Sequence, residues 1–253
     1  MILPIISLSI ESVKTDFIFR LYSWMYIFNR LAGYTESKMK KSKIPPVTMA
    51  RRHYPRPSNE ELVSSLSSPH SIGFLVARNP YERLISAYRD KIRGAFRRSY
   101  HDQMSKRIVV KYRKISPNKY KHGKTIPTFK EFVSFVIDEF RSGNELDMHW
   151  APAYSFCNPC QVNLTHIIKF ETFDRDTSEI LSEAKLKHLL PPSGRLQNKN
   201  KSKGGNLNTA NITEKYLKEL NPKLLSGLLE LYGIDFDMFG YDRKRNLLFR
   251  PIG

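Results

Sequence analysis

The stretch FLVARNPYERLISAYRDK, residues 74–91, carries side chains suited to binding an anion. Arg78 directly follows an apolar run, and Arg83 and Ser86, three residues apart, share one side of a helix. A guanidinium, a hydroxyl and the amides of a helix N-terminus together make a good phosphate site. The same spacing is equally compatible with a capped amphipathic helix whose arginines pair with nearby acids, so spacing alone leaves both interpretations open.

Local sequence signals place these side chains at the junction of a strand and a helix. Residues 71–77, SIGFLVA, form a short apolar run of the kind that is buried on both faces of a parallel sheet. Asn79 is a good N-cap and Pro80 is favoured at the first helical position, so we expect a helix over 80–97. Arg78 would then lie at the carboxyl end of the strand, where open α/β sheets bind ligands.

The rest of the chain alternates between predicted helices and a second buried strand. That strand is expected over 165–171, in THIIKFE, and polar or basic loops are expected over 35–47 and 196–210. Strands alternating with helices predict an α/β domain with a central, mostly parallel sheet flanked by helices. The other predicted helices cover residues 17–32, 59–68, 128–141, 174–189 and 213–232.

Charge is the unusual feature of the composition. The 253 residues include 42 Lys and Arg against 24 Asp and Glu, a formal charge of +18. This balance favours a polyanionic partner such as nucleic acid, acidic lipid or an anionic polysaccharide. Between Asp102 and Glu131 nine Lys or Arg occur with no acid, which predicts either a polyanion-binding surface or a solvated face or loop. No zinc finger, RNP-type aromatic motif or basic heptad region occurs, so we expect no nucleic-acid partner, and a basic nucleic-acid-binding protein is only a remote alternative.

The cysteines are Cys157 and Cys160, in SFCNPCQ. A zinc site there would need two more ligands, and His149 and His166 are the nearby histidines, so a local disulfide or a pair of free thiols is favoured. No carboxylate cluster has the spacing of metal ligands, and we therefore expect no metal.

Two further signals concern the cellular compartment. Asn163 and Asn211 begin N-x-Thr sequons, which matter only in the secretory pathway. The first ten residues, MILPIISLSI, are apolar but lack a basic n-region and are too short to span a bilayer. We therefore expect no membrane anchor in the chain as written.

The pattern Arg-x-Pro-x-x-Arg-x-x-Ser-x-Tyr after a buried strand resembles the 3′-phosphate-binding motif of sulfotransferases that use 3′-phosphoadenosine 5′-phosphosulfate (PAPS). It is most similar to the Golgi carbohydrate sulfotransferases of the chondroitin/dermatan 4-O-sulfotransferase type. HWAPAYSFCNPC at 149–160, THIIKFETF at 165–173 and LYGIDFDMFGYD at 231–242 follow in the same order as in that family. The resemblance covers a domain over 23–242, between an atypical segment 1–22 and a tail 243–253.

The resemblance implies a P-loop-NTPase-like sulfotransferase fold and sulfuryl transfer from PAPS to a glycan hydroxyl in the Golgi lumen. Arg78 and Ser86 would bind the 3′-phosphate, with Arg83 assisting or fixing the helix. The cysteines then resemble a structural pair in an oxidising lumen, and both sequons become glycosylation sites. The resemblance and the basic regions together predict cofactor binding by Arg78, Asn79, Pro80, Arg83, Ser86, Lys201 and Lys203, and binding of an anionic glycan by Lys106, Arg107, Lys111, Arg113 and Lys114.

Members of that family also carry a loop of the form Pro-Lys-Val-x-x-Thr-x-Trp, which cradles the 5′-phosphosulfate as a P-loop does. Counting back from Trp24, its lysine would fall at Ile18 and its threonine at Tyr22. We therefore expect only half of the donor site and hypothesise an alternative start or a misassigned first exon. A catalytically inactive relative that keeps only the 3′-phosphate site is the alternative prediction.

Transfer to a hydroxyl is helped by a general base, usually histidine or glutamate. His53, in RRHYPRP, is the first candidate, because related uronosyl sulfotransferases carry a histidine in a similar place. His149, in HWAP, is the second. The structural interpretations are an exposed loop histidine for His53 and a buried His-Trp pair for His149.

Overall fold

The computed structural model describes residues 6–7, 16–157, 162–190 and 209–243. The chain divides into two compact units, and each has its own hydrophobic core. The first unit comprises Met1–Arg78 and Cys157–Gly205, and the second comprises Asn79–Phe156 and Asn206–Gly253.

A parallel sheet forms the centre of the first unit. Its strands are β1 (Ile6–Ser7), β2 (Gly73–Ala77) and β3 (His166–Lys169), in that spatial order. β2 lies between the other two and is almost wholly buried, as its continuous apolar run predicted. A Cβ atom at Gly73 would come within 2.5 Å of the Leu66 side chain, so the strand starts at a residue without one. The predicted α/β class and parallel sheet are confirmed.

Helices pack around this sheet, and two of them replace most of a predicted loop. The prediction of a loop over 35–47 was wrong, because residues 36–41 and 46–53 are helical. Thr35 accepts a hydrogen bond from the amide of Lys38, and Pro46 occupies the first position of the later helix. The helices of this unit are α1 (Asp16–Leu31), α2 (Glu36–Lys41), α3 (Pro46–His53), α4 (Asn59–Leu66) and α9 (Phe173–Glu183).

The core of the first unit joins α1 to the sheet. The rings of Trp24 and Phe74 are 4.2 Å apart between centroids, and both residues are almost completely buried. Full burial of an aromatic side chain stabilises the folded state by about 1.5–3 kcal/mol. Asn29 fastens α1 to α3 by donating to the carbonyl of Pro46 at 2.9 Å.

Helices and the loops that join them make up the described part of the second unit. Its core includes Tyr81, Phe132, Trp150, Tyr232 and Phe236, all fully buried. The helices are α5 (Pro80–Ala87), α6 (Tyr100–Arg113), α7 (Phe129–Arg141), α8 (Ala153–Cys157, whose last residue belongs to the first unit), α10 (Thr209–Lys218) and α11 (Pro222–Met238).

The structure differs from the sequence predictions at two places in this unit. The helix expected over 80–97 is α-helical only to Ala87 and continues as a π-helical turn over Tyr88–Ile92. The basic run after Asp102 begins inside α6, which buries Met104 and Ile108 and leaves most of its cations exposed. Only a narrow face of α6 is buried, so the mostly polar sequence did not indicate a helix there.

Within the described residues, none of the helices combines the length and the apolar character that crossing a bilayer requires.

Candidate functional site

The junction between β2 and α5 has the geometry that its sequence predicted. The Asn79 side-chain oxygen accepts hydrogen bonds from the amides of Tyr81 at 3.0 Å and Glu82 at 3.3 Å. Pro80 occupies the first helical position and is buried. The chain thus turns directly from a buried strand into a capped helix, and the positive end of the helix dipole lies at this turn.

Arg78 is the last residue of the first unit and lies at the carboxyl end of β2. The residue is only 6% exposed, and its guanidinium carbon is 4.5 Å from the centroid of the Phe170 ring. Phe170 follows β3, so a neighbouring strand end helps to hold the arginine. Contact with an aromatic face stabilises a cation by about 0.5–2 kcal/mol. The structure therefore supplies a fixed, buried positive charge where the sequence predicted one.

Ser86 lies in the last turn of α5 and is partly exposed. It belongs to the second unit, as do Asn79 and Pro80. Its neighbours Ile85 and Ala87 are buried, so α5 is held by its apolar face and leaves the serine at the edge of that face.

Arg83 contacts the second unit's own backbone. Its guanidinium donates to the carbonyl of Ala151 at 2.5 Å and to that of His149 at 3.5 Å. The Arg83 Nη2 atom is also 3.6 Å from a carboxylate oxygen of Asp235. Two roles were considered for Arg83, assisting in phosphate binding and fixing the helix. These contacts support the second role.

His53 ends α3 and is exposed. Its Nε2 atom lies 3.0 Å from the hydroxyl of Tyr34, and the two rings meet edge to face at 5.3 Å. Both residues belong to the first unit. The histidine is thus on a helix end and not in a loop, and a tyrosine orients its ring.

His149 is buried beside an aspartate that the sequence predictions did not include. Its Nδ1–H donates to Asp147, and its ring packs against Trp150. Asp147 also accepts from the Nε2–H of His101 at 3.0 Å. Burial raises the pKa of Asp147, but the hydrogen bonds from His101 and His149 outweigh burial and hold the pKa well below its usual range. The Asp-x-His pattern at 147–149 was a weak sequence signal for this arrangement; nothing in the sequence indicated His101.

The basic residues of α6 divide into two groups. Arg113 forms a bidentate pair with Glu131 at 2.6 and 2.8 Å, and Lys111 lies 3.3 Å from Asp138. Those two cations are therefore partly neutralised by α7. The remaining predicted glycan-binding residues are exposed, and they are Lys106, Arg107 and Lys114.

A cavity of about 460 Å³ in the second unit brings cations and aromatic rings together. Arg89, Arg93 and Lys215 line it with Tyr88 and Tyr216, and Glu219 contributes a single acid. The Arg93 guanidinium donates to the Tyr216 hydroxyl at 3.1 Å. Burial, the largest influence, and nearby Tyr216 raise the pKa of Tyr88 to about 12, so its hydroxyl stays protonated and donates to the carbonyl of Pro127 at 2.8 Å. The sequence did not predict this cavity, because its residues come from three separate stretches, 88–93, 128–129 and 211–219.

The remaining predicted residues are only partly described. Asn163 and Asn211, the two sequon asparagines, are both exposed. Cys157 ends α8, while Cys160, Lys201 and Lys203 lie outside the described residues. The predicted thiol pairing and the two lysine roles therefore stay predictions.

The sequence of the chain matches a known protein family. Residues 21–242 match the sequence model described as "Sulfotransferase family". This match covers well over half of the chain, and the chain belongs to that family.

Curated relatives make the family assignment more specific. Carbohydrate sulfotransferase 14 of Danio rerio is 31% identical over 176 residues, which cover 68% of this chain and 44% of that protein. Carbohydrate sulfotransferase 11 of Rattus norvegicus is 30% identical over 169 residues, 66% of this chain and 46% of that protein. Carbohydrate sulfotransferase 9 of Homo sapiens is 30% identical over 165 residues, 65% of this chain and 36% of that protein. This chain therefore spans less than half the length of these relatives, and no solved structure gives a significant match.

Proposed function

We propose that this chain is the donor-binding and acceptor-binding part of a carbohydrate sulfotransferase, which transfers a sulfuryl group from PAPS to a hydroxyl of an anionic, chondroitin- or dermatan-type glycan. The observation that carries the proposal is the capped β2–α5 junction, with buried Arg78 at the end of the strand, in a chain that belongs to the sulfotransferase family. The resemblance to Golgi enzymes and the two exposed sequon asparagines support a Golgi lumenal location.

The junction suits a terminal phosphate in three respects. Arg78 offers a charged, planar donor, and the positive end of the α5 dipole favours an anion, while the Tyr81 and Glu82 amides themselves donate to Asn79. Ser86, six residues after Pro80 in α5, offers a hydroxyl. Asn79 and Pro80 build the turn, while Arg83 fixes α5 to the segment 149–151. We therefore assign binding of the 3′-phosphate to Arg78 and Ser86, and positioning to Arg83.

PAPS, when bound, would supply the sulfuryl group, whose sulfur would bond to the acceptor oxygen as its bond to the 5′-phosphate oxygen breaks and 3′,5′-ADP is released. The chain's contribution is to position the two substrates, to balance negative charge and to remove the hydroxyl proton. We assign the proton removal to His53. Its ring is exposed to an incoming hydroxyl and oriented by Tyr34, whereas His149 is buried with its Nδ1–H bonded to Asp147.

The glycan is assigned to the cationic cavity of the second unit and to the exposed cations of α6. Arg89, Arg93 and Lys215 can pair with sulfate or carboxylate groups, while Tyr216 offers a flat ring to the apolar face of a sugar. This combination of charges and rings is what an acidic polysaccharide requires. The net positive charge of the cavity lining also agrees with the formal charge of +18 of the whole chain.

One observation favours a second candidate function, an inactive relative that binds nucleotide without transferring sulfate. The positions expected to hold the lysine and threonine of the 5′-phosphosulfate loop are Ile18 and Tyr22, and both lie within helix α1.

Two measurements on this chain test the proposal. Calorimetry with 3′,5′-ADP reports the 3′-phosphate site, and transfer of labelled sulfate from PAPS to desulfated chondroitin reports catalysis. Binding together with transfer supports the proposal, and binding without transfer identifies the inactive relative. If neither binding nor transfer occurs with folded protein, the assignment of the β2–α5 junction to the nucleotide is wrong.

A further inference from the structure

Among the described residues, His101, Asp147 and His149 form the one group of three potential metal ligands whose donor atoms converge. One donor atom from each residue lies within 4.8 Å of the others. His101 is the second residue of α6, whereas Asp147 and His149 belong to the loop between α7 and α8. We propose that this group is a binding site for a single zinc ion, with two imidazole nitrogens, one carboxylate oxygen and a water molecule as ligands.

The donor set favours zinc over the hard cations. Two histidines and a carboxylate, with one position left for water, are a common set of zinc ligands, whereas calcium and magnesium prefer oxygen. Zinc bonds of about 2.0–2.1 Å in a tetrahedron place neighbouring donor atoms about 3.3 Å apart. The observed separation of His101 Nε2 and Asp147 Oδ2 is 3.0 Å, near that spacing, whereas His149 Nδ1 and Asp147 Oδ1 lie closer together and must move apart to bind an ion.

Binding requires a change of tautomer at the two histidines and a small separation of His149 from Asp147. In the metal-free arrangement the Nε2–H of His101 and the Nδ1–H of His149 both donate to Asp147, one to each carboxylate oxygen. In the zinc-bound form those nitrogens coordinate the ion through their lone pairs, and each ring carries its proton on the other nitrogen. Asp147 supplies a negative charge that partly balances the ion.

The surroundings hold the loop that carries two of the ligands. Arg83 donates to the carbonyls of His149 and Ala151, and the Tyr232 hydroxyl donates to the carbonyl of Trp150 at 2.5 Å. Asp147 also accepts from the backbone amide of His149 at 2.9 Å. Supporting contacts of this kind reduce the cost of ordering ligands around an ion.

The site is also accessible from solvent. Its ligands are far apart along the chain, which explains why the sequence did not indicate the site. The His101 side chain is 18% exposed, which leaves a route for an ion and a position for water. His101 and Asp147 are 46 residues apart, so no ligand spacing connects them in the sequence. The expectation of no metal rested only on residues that are close together along the chain.

Zinc binding is measured by calorimetry and by metal analysis after chelator treatment and dialysis of the full chain. Cys157 and Cys160 are both replaced by serine so that thiols cannot take up the ion. The informative variant is His101→Asn, because His101 is the most exposed of the three ligands and its replacement is the least disruptive. The matched control is His122→Asn, since His122 pairs with Asp102 at 2.8 Å in the same unit without a third ligand.

We expect one zinc ion per chain, a higher melting temperature with zinc, and no comparable effect of magnesium or calcium. His101→Asn should weaken zinc binding by at least about 10- to 100-fold, the loss that follows removal of an outer-shell partner alone, while His122→Asn leaves it unchanged. Cobalt substitution should give the visible absorption of a tetrahedral site, and this absorption should disappear in His101→Asn. Absence of zinc binding by the folded chain, or equal binding by His101→Asn, would show that the three residues form only a hydrogen-bonded network.

Discussion

Arg83 of α5 and Asp235 of α11 face each other inside the second unit, with 3.6 Å between Arg83 Nη2 and Asp235 Oδ2. Asp235 is 1% exposed and also accepts the amides of Ala153 and Tyr154, at 2.6 and 2.9 Å. One carboxylate therefore connects α5, the start of α8 and α11. The arginine in the middle of the motif is consequently part of the internal framework of this unit.

This relationship predicts that Asp235→Ala strongly destabilises the protein. The substitution removes the counter-charge of Arg83 and the acceptor of two amides, and breaking a buried ion pair costs about 3–5 kcal/mol. Urea unfolding followed by circular dichroism measures the change. The control is Glu230→Ala, which breaks an exposed pair with Arg141 at 2.5 Å and should leave the free energy of unfolding nearly unchanged. Similar, small effects of both substitutions would contradict the assigned role of Asp235.

The features that the sequence predicted are those controlled by neighbouring residues. An apolar run gives β2, and the side chain of Asn79 caps the helix that begins two residues after Arg78. The partners of Arg83 were beyond such signals, because its acceptors at His149 and Ala151 are 66 and 68 residues away. Long-range contacts depend on how whole helices pack, and a single sequence without its fold does not specify that packing.

Replacing Arg78 with alanine should weaken binding of 3′,5′-ADP by about 10- to 100-fold, the range expected when a charged hydrogen bond to phosphate is lost. The measurement is calorimetry with 3′,5′-ADP, compared with 5′-AMP, which lacks the 3′-phosphate. The Arg78→Ala variant should lose its preference for the former nucleotide. Arg97→Ala removes an exposed arginine and should bind as the parent chain does. An unchanged preference in folded Arg78→Ala would remove Arg78 from the nucleotide site.

His53→Ala should lower the rate of sulfate transfer by about 10²- to 10⁴-fold, because a general base contributes on that scale. Binding of 3′,5′-ADP should not change, since His53 is assigned to the acceptor hydroxyl and not to the donor. Single-turnover assays with labelled PAPS separate the two effects. His70→Ala, at another exposed histidine of the first unit, is the control. Transfer by His53→Ala at the parent rate would exclude His53 as the base.

Asp176 should make the stability of the protein depend on acid pH. Burial raises its pKa, but hydrogen bonds from the Thr172 hydroxyl at 2.6 Å and the Lys169 amide at 3.0 Å, with Arg175, outweigh burial and lower the pKa. The folded pKa of Asp176 therefore lies below the unfolded value of about 3.9. The ionised carboxylate stabilises the folded protein above about pH 3.9, and this stabilisation is lost as the pH falls through the folded pKa.

Asp176→Ala should therefore cost about 1.5–3 kcal/mol at pH 7, and the difference from the parent should shrink below about pH 4. Urea unfolding at a series of pH values measures both quantities. Glu179→Ala, at an exposed acid on the same helix, should have little effect at any pH. A difference between Asp176→Ala and the parent that stays constant down to pH 2 would show that the charge of Asp176 contributes nothing.

The cavity in the second unit should determine the affinity for the glycan. The double variant Arg89→Ala/Lys215→Ala removes two exposed cations that line it and should weaken binding of chondroitin sulfate by about 2- to 30-fold, since exposed charge pairs contribute about 0.2–1 kcal/mol each. The salt dependence of binding should also become shallower. Calorimetry with size-defined chondroitin sulfate fragments measures both without requiring sulfate transfer.

Lys223→Ala removes an exposed lysine of α11 and controls for net charge, while Lys106→Ala/Arg107→Ala tests the surface of α6. A loss in the α6 variant alone would place the glycan on α6, and equal small losses in all three variants would mean that only the overall charge attracts it.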